Sequence, residues 1–197
     1  MDGSSDPVVR PDTSLASDDP PAEPDKSEPT TAQIRTADDM RRLGKRLAGQ
    51  LRAGDLVLLR GPLGAGKTTL AQGIGDGLAV RGPITSPTFV LARVHPALAG
   101  GPPLVHVDAY RLEDWDDLET LDLEATLDES VTVVEWGEGL VEGLADDRLE
   151  VRIHRAAGHS ADGDMTDGDM TDDADDDPRQ VEIVGVGRRW RGITPAG

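Results

Sequence analysis

The first regular pattern of apolar positions begins after a long polar stretch at the N-terminus. Four large apolar residues follow one another at intervals of three or four positions, namely Met40, Leu43, Leu47 and Leu51. This spacing puts them on one face of a helix. Thr36 precedes them as an N-cap, and acids occupy the predicted first turn. We therefore predict that order begins near Thr36, with an amphipathic helix that ends at Gly54 and Asp55.

Further apolar runs predict alternating strands and helices. Residues 55–60 form a short apolar run typical of a buried strand, and residues 69–78 predict the helix that follows it. Residues 104–108 and 131–135 predict two more strands. The second of these is rich in β-branched residues, as expected in the buried middle of a parallel sheet. Residues 112–127 predict one or two short acidic helices.

The last part of the chain has a different pattern. Residues 149–154 and 180–184 alternate apolar and polar side chains, which predicts a half-buried antiparallel pair at a sheet edge. Between them, residues 158–178 carry nine aspartates and no lysine or arginine, and repeat Asp-Gly-Asp-Met-Thr. Because the spacing does not match an EF-hand loop, we interpret 158–178 as a disordered insert rather than a calcium site.

The acidity of the chain is concentrated in two segments. The chain has 197 residues and a formal net charge of −18, of which residues 1–33 contribute −6 and residues 158–178 contribute −9. Residues 1–33 have few large apolar groups, which predicts a disordered acidic Pro-rich tail. We expect one folded domain over 34–190 and a flexible C-terminus over 191–197. Without a basic surface, strong autonomous binding to nucleic acid is not expected.

The compartment is predicted from what the sequence lacks. Cysteine is absent, and no apolar run is long enough to span a membrane. The acidic N-terminus is also unlike a secretory or transit peptide. We therefore expect a cytoplasmic protein.

The segment between the predicted strand 55–60 and the predicted helix 69–78 has the sequence of a phosphate-binding loop. Residues 61–68 read Gly-Pro-Leu-Gly-Ala-Gly-Lys-Thr, which fits the phosphate-loop pattern of nucleoside triphosphate-binding proteins. In that pattern, backbone N–H groups and the helix N-terminus bind phosphate, the lysine reaches the terminal phosphates, and the final hydroxyl ligates Mg²⁺. The predicted nucleotide-binding residues are Gly61, Gly64, Ala65, Gly66, Lys67, Thr68 and Thr69. The fold class that follows is α/β and P-loop NTPase-like, a three-layer sandwich whose mostly parallel sheet has an antiparallel edge hairpin.

Two acids lie where such a site needs them. Asp108 and Glu135 end the predicted strands 104–108 and 131–135, and ligands of parallel α/β sheets bind beyond the carboxyl ends of the strands. Nucleotide hydrolysis uses one acid near the metal and another near the attacking water. The residues alone leave open which acid is nearer the metal. Weaker candidates for phosphate or partner contacts are Ser86, Thr88 and Trp136, and His106 is interpreted equally as a core or rim histidine.

Four segments together resemble one known family. In chain order, residues 61–69, 86–89, 106–112 and 135–138 read GPLGAGKTT, SPTF, HVDAYRL and EWGE. They resemble the TsaE family over roughly residues 36–184. That family comprises the bacterial ATPases required to make threonylcarbamoyladenosine in tRNA.

The resemblance implies an Mg²⁺-dependent ATPase with little activity alone. It implies TsaB and TsaD as partners, with TsaD performing the transfer and tRNA met only through the complex. By motif, it implies catalytic roles for Lys67 and Asp108 and metal binding by Thr68 and Glu135. The chain departs from the family at Pro62, where Asp is usual, and in its acidic tail and insert.

Other functions remain open on the sequence alone. A small-molecule kinase shares the loop and the size, but such enzymes usually carry an arginine-bearing lid, and Arg93 is the only arginine between Arg81 and Arg111. A GTPase-like switch would need an Asn-Lys-x-Asp motif, and the chain contains no asparagine. A nucleotide-dependent binding subunit without significant turnover is the third alternative, although the intact Lys67 and both acids disfavour it.

Overall fold

The computed structural model describes residues 25–87, 90–112, 114–155 and 178–192. The strands in these ranges are β1 (Thr30–Ile34), β2 (Leu56–Arg60), β3 (Ala92–His95), β4 (Leu104–Asp108), β5 (Val131–Glu135), β6 (Arg148–Arg155) and β7 (Arg179–Val186). The α-helices are α1 (Ala37–Ala48), α2 (Lys67–Gly77), α3 (Trp115–Glu119) and α4 (Glu124–Leu127), with 3₁₀ turns at Ala109–Arg111, Val141–Gly143 and Arg188–Trp190. No helix in these ranges is long and apolar enough to cross a bilayer.

The strands form one sheet in the order β1-β7-β6-β2-β5-β4-β3. The central strands β6, β2, β5 and β4 are parallel. At one edge β3 pairs antiparallel with β4, and on the other side β7 pairs antiparallel with β6 and β1 pairs antiparallel with β7. The predicted α/β class is therefore confirmed. The predicted antiparallel pair is present as β6 and β7, but it does not form the edge, because β1 covers β7.

The predicted tail boundary at residue 33 is wrong, because β1 lies almost entirely within the span 1–33. This strand pairs with β7 along its length, and the backbone N–H of Ser27 donates to the Gly185 carbonyl at 2.7 Å. Ile34 is the only large apolar residue of β1, so hydropathy gave no strand signal. Backbone hydrogen bonds to a strand near the other end of the chain supply the order instead.

The other predicted appendages lie mainly outside the described residues. This holds for 1–24 of the tail, for the insert apart from Pro178, and for 193–197. At the start of the predicted flexible C-terminus, Arg191 is described, and its Nε donates to the Asp25 carboxylate at 2.8 Å.

Helix α1 begins as the sequence predicts and ends earlier. The Thr36 hydroxyl accepts from the Asp39 backbone N–H at 3.1 Å, and the Asp39 carboxylate accepts from the Thr36 N–H at 3.1 Å, which makes a capping box. The helix ends at Ala48 with Gly49 as its C-cap. Leu51 lies in the following turn, where it is still buried.

Each face of the sheet has its own hydrophobic core, because side chains alternate along the strands. One core lies under α1 and α2 and includes Leu43, Val57, Leu59, Leu70 and Val133. The other lies on the opposite face and includes Leu56, Leu58, Val107, Leu118 and Val141. The sheet is therefore the middle of three layers. Its four parallel strands all have their carboxyl ends on the same side of the domain.

Candidate functional site

The phosphate-loop sequence follows the carboxyl end of β2 and connects this strand to α2. Its three glycines, Gly61, Gly64 and Gly66, have φ values of 147°, 74° and 105°, a region that side chains with a Cβ rarely adopt. Gly66 is the N-cap of α2 and offers no side-chain acceptor to the first turn. The N–H groups of that turn and the positive end of the helix dipole are therefore directed at the loop, as in an anion-binding site.

Lys67 is buried within this loop. Its Nζ donates to the carbonyls of Gly61 at 2.8 Å and Pro62 at 3.0 Å, and lies 3.6 Å from the centroid of the Trp136 ring. Burial lowers the pKa of the Lys67 ammonium, while the Glu135 and Asp108 carboxylates oppose that shift. An anion that enters the loop would therefore stabilise the buried ammonium of Lys67.

Thr68 and Glu135 are in direct contact, although they come from different elements. The Thr68 hydroxyl donates to Glu135 Oε1 at 2.9 Å, and His106 Nε2 lies 2.8 Å from the same oxygen. His106 is fully buried, and its Nδ1 has no hydrogen-bond partner among the described residues. Since a carboxylate oxygen can only accept, the Nε2 N–H of His106 donates to Glu135.

Sequence reasoning missed this role of His106. Its two-residue spacing from Asp108 showed only that it points to the same face of the strand. The pairing of Asp108 with Glu135 between β4 and β5 is what places His106 diagonally against the second acid.

Asp108 is held by both of its carboxylate oxygens. Oδ1 accepts from the Tyr110 backbone N–H at 3.1 Å, and Oδ2 accepts from the Ser86 hydroxyl at 3.1 Å. The predicted loop residue Ser86 therefore lies against the strand-end acid. With both oxygens engaged, the orientation of the carboxylate is fixed.

Trp136 follows Glu135 with φ of 63°, a conformation that a bulky residue adopts only under structural constraint. This turn places its ring over Lys67. The Tyr110 ring packs edge-to-face on it at a centroid distance of 5.4 Å and is 66% exposed. The two aromatic residues thus form a rim beside the loop.

An open cleft of about 300 Å³ lies at the phosphate loop, lined among others by Lys67, Thr68 and the two acids. Its wall includes every predicted site residue except Gly61, which begins the loop, and Thr88, which lies outside the described residues. No cluster of three or more histidine and acidic side chains placed to hold a metal is found among the described residues.

Comparisons with known proteins agree with the geometry. The family described as Threonylcarbamoyl adenosine biosynthesis protein TsaE matches residues 34–162. The tRNA threonylcarbamoyladenosine biosynthesis protein TsaE of Streptomyces coelicolor is 59% identical over 77% of this chain and 93% of its own length. The protein of the same name from Bacillus subtilis is 32% identical over 78% and 84%, respectively. The crystal structure of Bacillus subtilis YdiB has a TM-score of 0.60 and 27% identity, and the match covers 83% of this chain and 90% of that chain.

Proposed function

The chain belongs to the TsaE family of tRNA threonylcarbamoyladenosine biosynthesis proteins, and from that membership we propose that it is the ATP-binding and ATP-hydrolysing subunit of the pathway. The observation that carries the proposal is the convergence of Lys67, Thr68, Asp108 and Glu135 on one phosphate loop. The loop and the N-terminus of α2 would bind the phosphates of ATP.

Three side chains of the cleft have separate roles in this proposal. Lys67 neutralises the terminal phosphates, for which it is already held at the loop carbonyls. Asp108 orients the attacking water, because its fixed carboxylate presents an acceptor in a constant direction. The Trp136 ring lies over the Lys67 ammonium and keeps bulk water away from it.

The donor set of Thr68 and Glu135 fits Mg²⁺. A hydroxyl and a carboxylate are hard oxygen ligands, and Mg²⁺ at nucleotide sites is held by one or two carboxylates together with substrate phosphates. When bound, Mg²⁺ supplies positive charge that offsets the charge of the phosphate oxygens.

We further propose that the chain acts in the cytoplasm with TsaB and TsaD, and that it contacts tRNA only through them. Two features support a protein partner near the cleft. Leu63 in the phosphate loop is 84% exposed and Tyr110 on the rim is 66% exposed, so large side chains are available at the mouth of the site. The net negative charge of the chain also disfavours direct binding to tRNA.

The experiment that tests this function is reconstituted synthesis of threonylcarbamoyladenosine on tRNA. TsaB, TsaD, the enzyme that makes the threonylcarbamoyl adenylate, ATP and Mg²⁺ are combined with and without this protein. We expect product beyond one turnover only when the protein is present, with ATP consumed in parallel. Product that forms equally well without it would contradict the proposed role, and transfer of phosphate to a small acceptor would favour the kinase alternative.

The Asp108→Asn variant is expected to separate binding from hydrolysis. It keeps the size of the side chain but removes the charge that orients water, so ATP hydrolysis should fall roughly 100- to 1000-fold. ATP affinity, measured by titration calorimetry, should stay within about threefold of wild type. Asp122→Asn is a matched control, since Asp122 is exposed and has φ of 48°, a conformation that asparagine also accepts. Equal turnover in both variants would exclude Asp108 from the reaction.

His106 is expected to act as a positioning residue for Glu135. Loss of its hydrogen bond in His106→Leu should raise the Mg²⁺ concentration needed for half-maximal ATP binding about tenfold, because supporting contacts of that kind are worth this much. His106→Gln keeps an N–H near the Nε2 position and should restore most of the response. ATP binding measured without Mg²⁺ should be similar in both variants. An identical Mg²⁺ response in His106→Leu and wild type would show that Glu135 does not depend on this contact.

A further inference from the structure

Strand β6 continues past the end of β2 and lies beside the phosphate loop. The last residue of β2, Arg60, is paired with Arg152, and β6 runs on to Arg155. A Cβ built on Gly64 would lie 2.9 Å from Nη2 of Arg155. The Arg155 guanidinium is therefore packed against the loop at Gly64.

A second arginine lies next to the first. Arg179 at the start of β7 is directly paired with Arg155, and a Cβ built on Gly66 would lie 4.0 Å from the Arg179 Cδ. Alternate residues of the same strands, such as Ile153 and Val181, belong to the core under α1 and α2. Both arginines therefore project to the face of the sheet on which α2 lies.

The acids and the arginines lie on opposite sides of the loop. β5 and β6 are the two neighbours of β2 in the sheet. Glu135 and Asp108 end β5 and β4 on one side, whereas Arg155 and Arg179 lie at the ends of β6 and β7 on the other. The loop thus has a side that suits a metal and a reacting phosphate, and a side that carries two guanidinium groups.

A nucleoside triphosphate is an elongated ligand, with its reactive phosphate at one end and its base at the other. If the terminal phosphate lies beside Lys67 and the acids, the opposite side of the loop, next to β6, is where the nucleoside would lie. We propose that Arg155 is the surface on which the nucleobase stacks, with Arg179 beside it, so that these two residues form the nucleoside subsite. This inference rests on the proposed binding of ATP.

The chemistry of the guanidinium group suits this role. The planar face of a guanidinium stacks on aromatic rings, and its N–H groups donate hydrogen bonds in the plane of the group. Stacking of this kind does not distinguish one base from another, since every base has a π face. The subsite should therefore strengthen binding of ATP and GTP alike and leave binding of a phosphate chain without a nucleoside unchanged.

The test compares three ligands in the presence of Mg²⁺, namely ATP, GTP and inorganic tripolyphosphate, by titration calorimetry on the full chain. We expect Arg155→Ala to weaken ATP and GTP about tenfold and to change tripolyphosphate less than twofold. Arg155→Lys, which keeps the charge but loses the planar face, should weaken the nucleotides to an intermediate degree. Arg152→Ala is the matched control, because Arg152 is exposed on the same strand and faces the other side of the sheet.

The outcomes distinguish a failure of the proposed nucleoside subsite from a failure of the proposed ATP binding. If wild type binds none of the three ligands, the proposed ATP binding itself fails. If wild type binds ATP and Arg155→Ala binds it equally well, the nucleoside subsite lies elsewhere and only the inference fails. If Arg155→Ala loses ATP and tripolyphosphate to the same extent, Arg155 contacts phosphate and the stacking role is overturned. Thermal unfolding of each variant identifies any loss caused by misfolding, for which Arg155→Lys serves as the milder replacement.

Discussion

We expect Lys67→Ala to bind ATP roughly 100-fold more weakly than wild type and to hydrolyse it about 1000-fold more slowly. The ammonium of Lys67 is the buried cation of the phosphate loop, held by two carbonyls and an aromatic face. Alanine removes the charge that the terminal phosphates would meet and leaves nothing of similar reach. Titration calorimetry and phosphate release measure the two effects. Threonylcarbamoyladenosine formation in the reconstituted mixture should be lost with them.

Lys45→Ala is the control for the loss of a lysine in general. Lys45 is an exposed residue of α1 and pairs with Asp76 of α2 at 3.3 Å, a contact worth little at the surface. ATP binding and product formation should be unchanged in this variant. Full product formation by Lys67→Ala would mean that the pathway does not use ATP bound at this loop, and the proposed function would then be wrong.

The parts of the site that could be predicted from the sequence are those that local chemistry determines. The run from Gly61 to Thr68 is recognisable because it fits the phosphate-loop pattern and lies between a predicted strand and a predicted helix. Asp108 and Glu135 were identified because each ends a short apolar run, and parallel strands bring their carboxyl ends to one edge. In the sheet the two acids are directly paired. The sequence pattern predicts that they lie near each other, but it does not predict this register.

The parts that could not be predicted depend on partners far away in the chain. β1 carries little apolar signal and is ordered by pairing with β7. His106 has no spacing that relates it to Glu135, and their contact follows only from the register of β4 and β5. Arg155 is separated from the phosphate loop by most of the domain, and the parallel pairing of β2 with β6 brings the two together. Local pattern specified the elements, and strand order specified which side chains meet.

The position of the phosphate loop also depends on how closely α1 and α2 pack. Gly44 of α1 faces the backbone of α2, and a Cβ built on it would lie 2.5 Å from the Leu70 carbonyl oxygen and 2.7 Å from the Ile74 nitrogen. These are backbone atoms, so no rotamer change can relieve the contact. A side chain at this position can be accommodated only if the two helices move apart, and α2 begins at Lys67.

We therefore expect Gly44→Ala to lower the free energy of unfolding by about 2 kcal/mol. Alanine is the better helix former, but the cost of overpacking against backbone atoms is larger than the gain in helix propensity. For a domain of this size the midpoint of thermal unfolding should fall by roughly 4–8 °C, measured by circular dichroism. Gly49→Ala is the matched control at the end of the same helix, where φ is −66° and the nearest atom would lie at 3.4 Å. That variant should unfold within about 2 °C of wild type. Equal stability of the two variants would show that α1 and α2 separate at little cost, and that their spacing does not hold the phosphate loop in place.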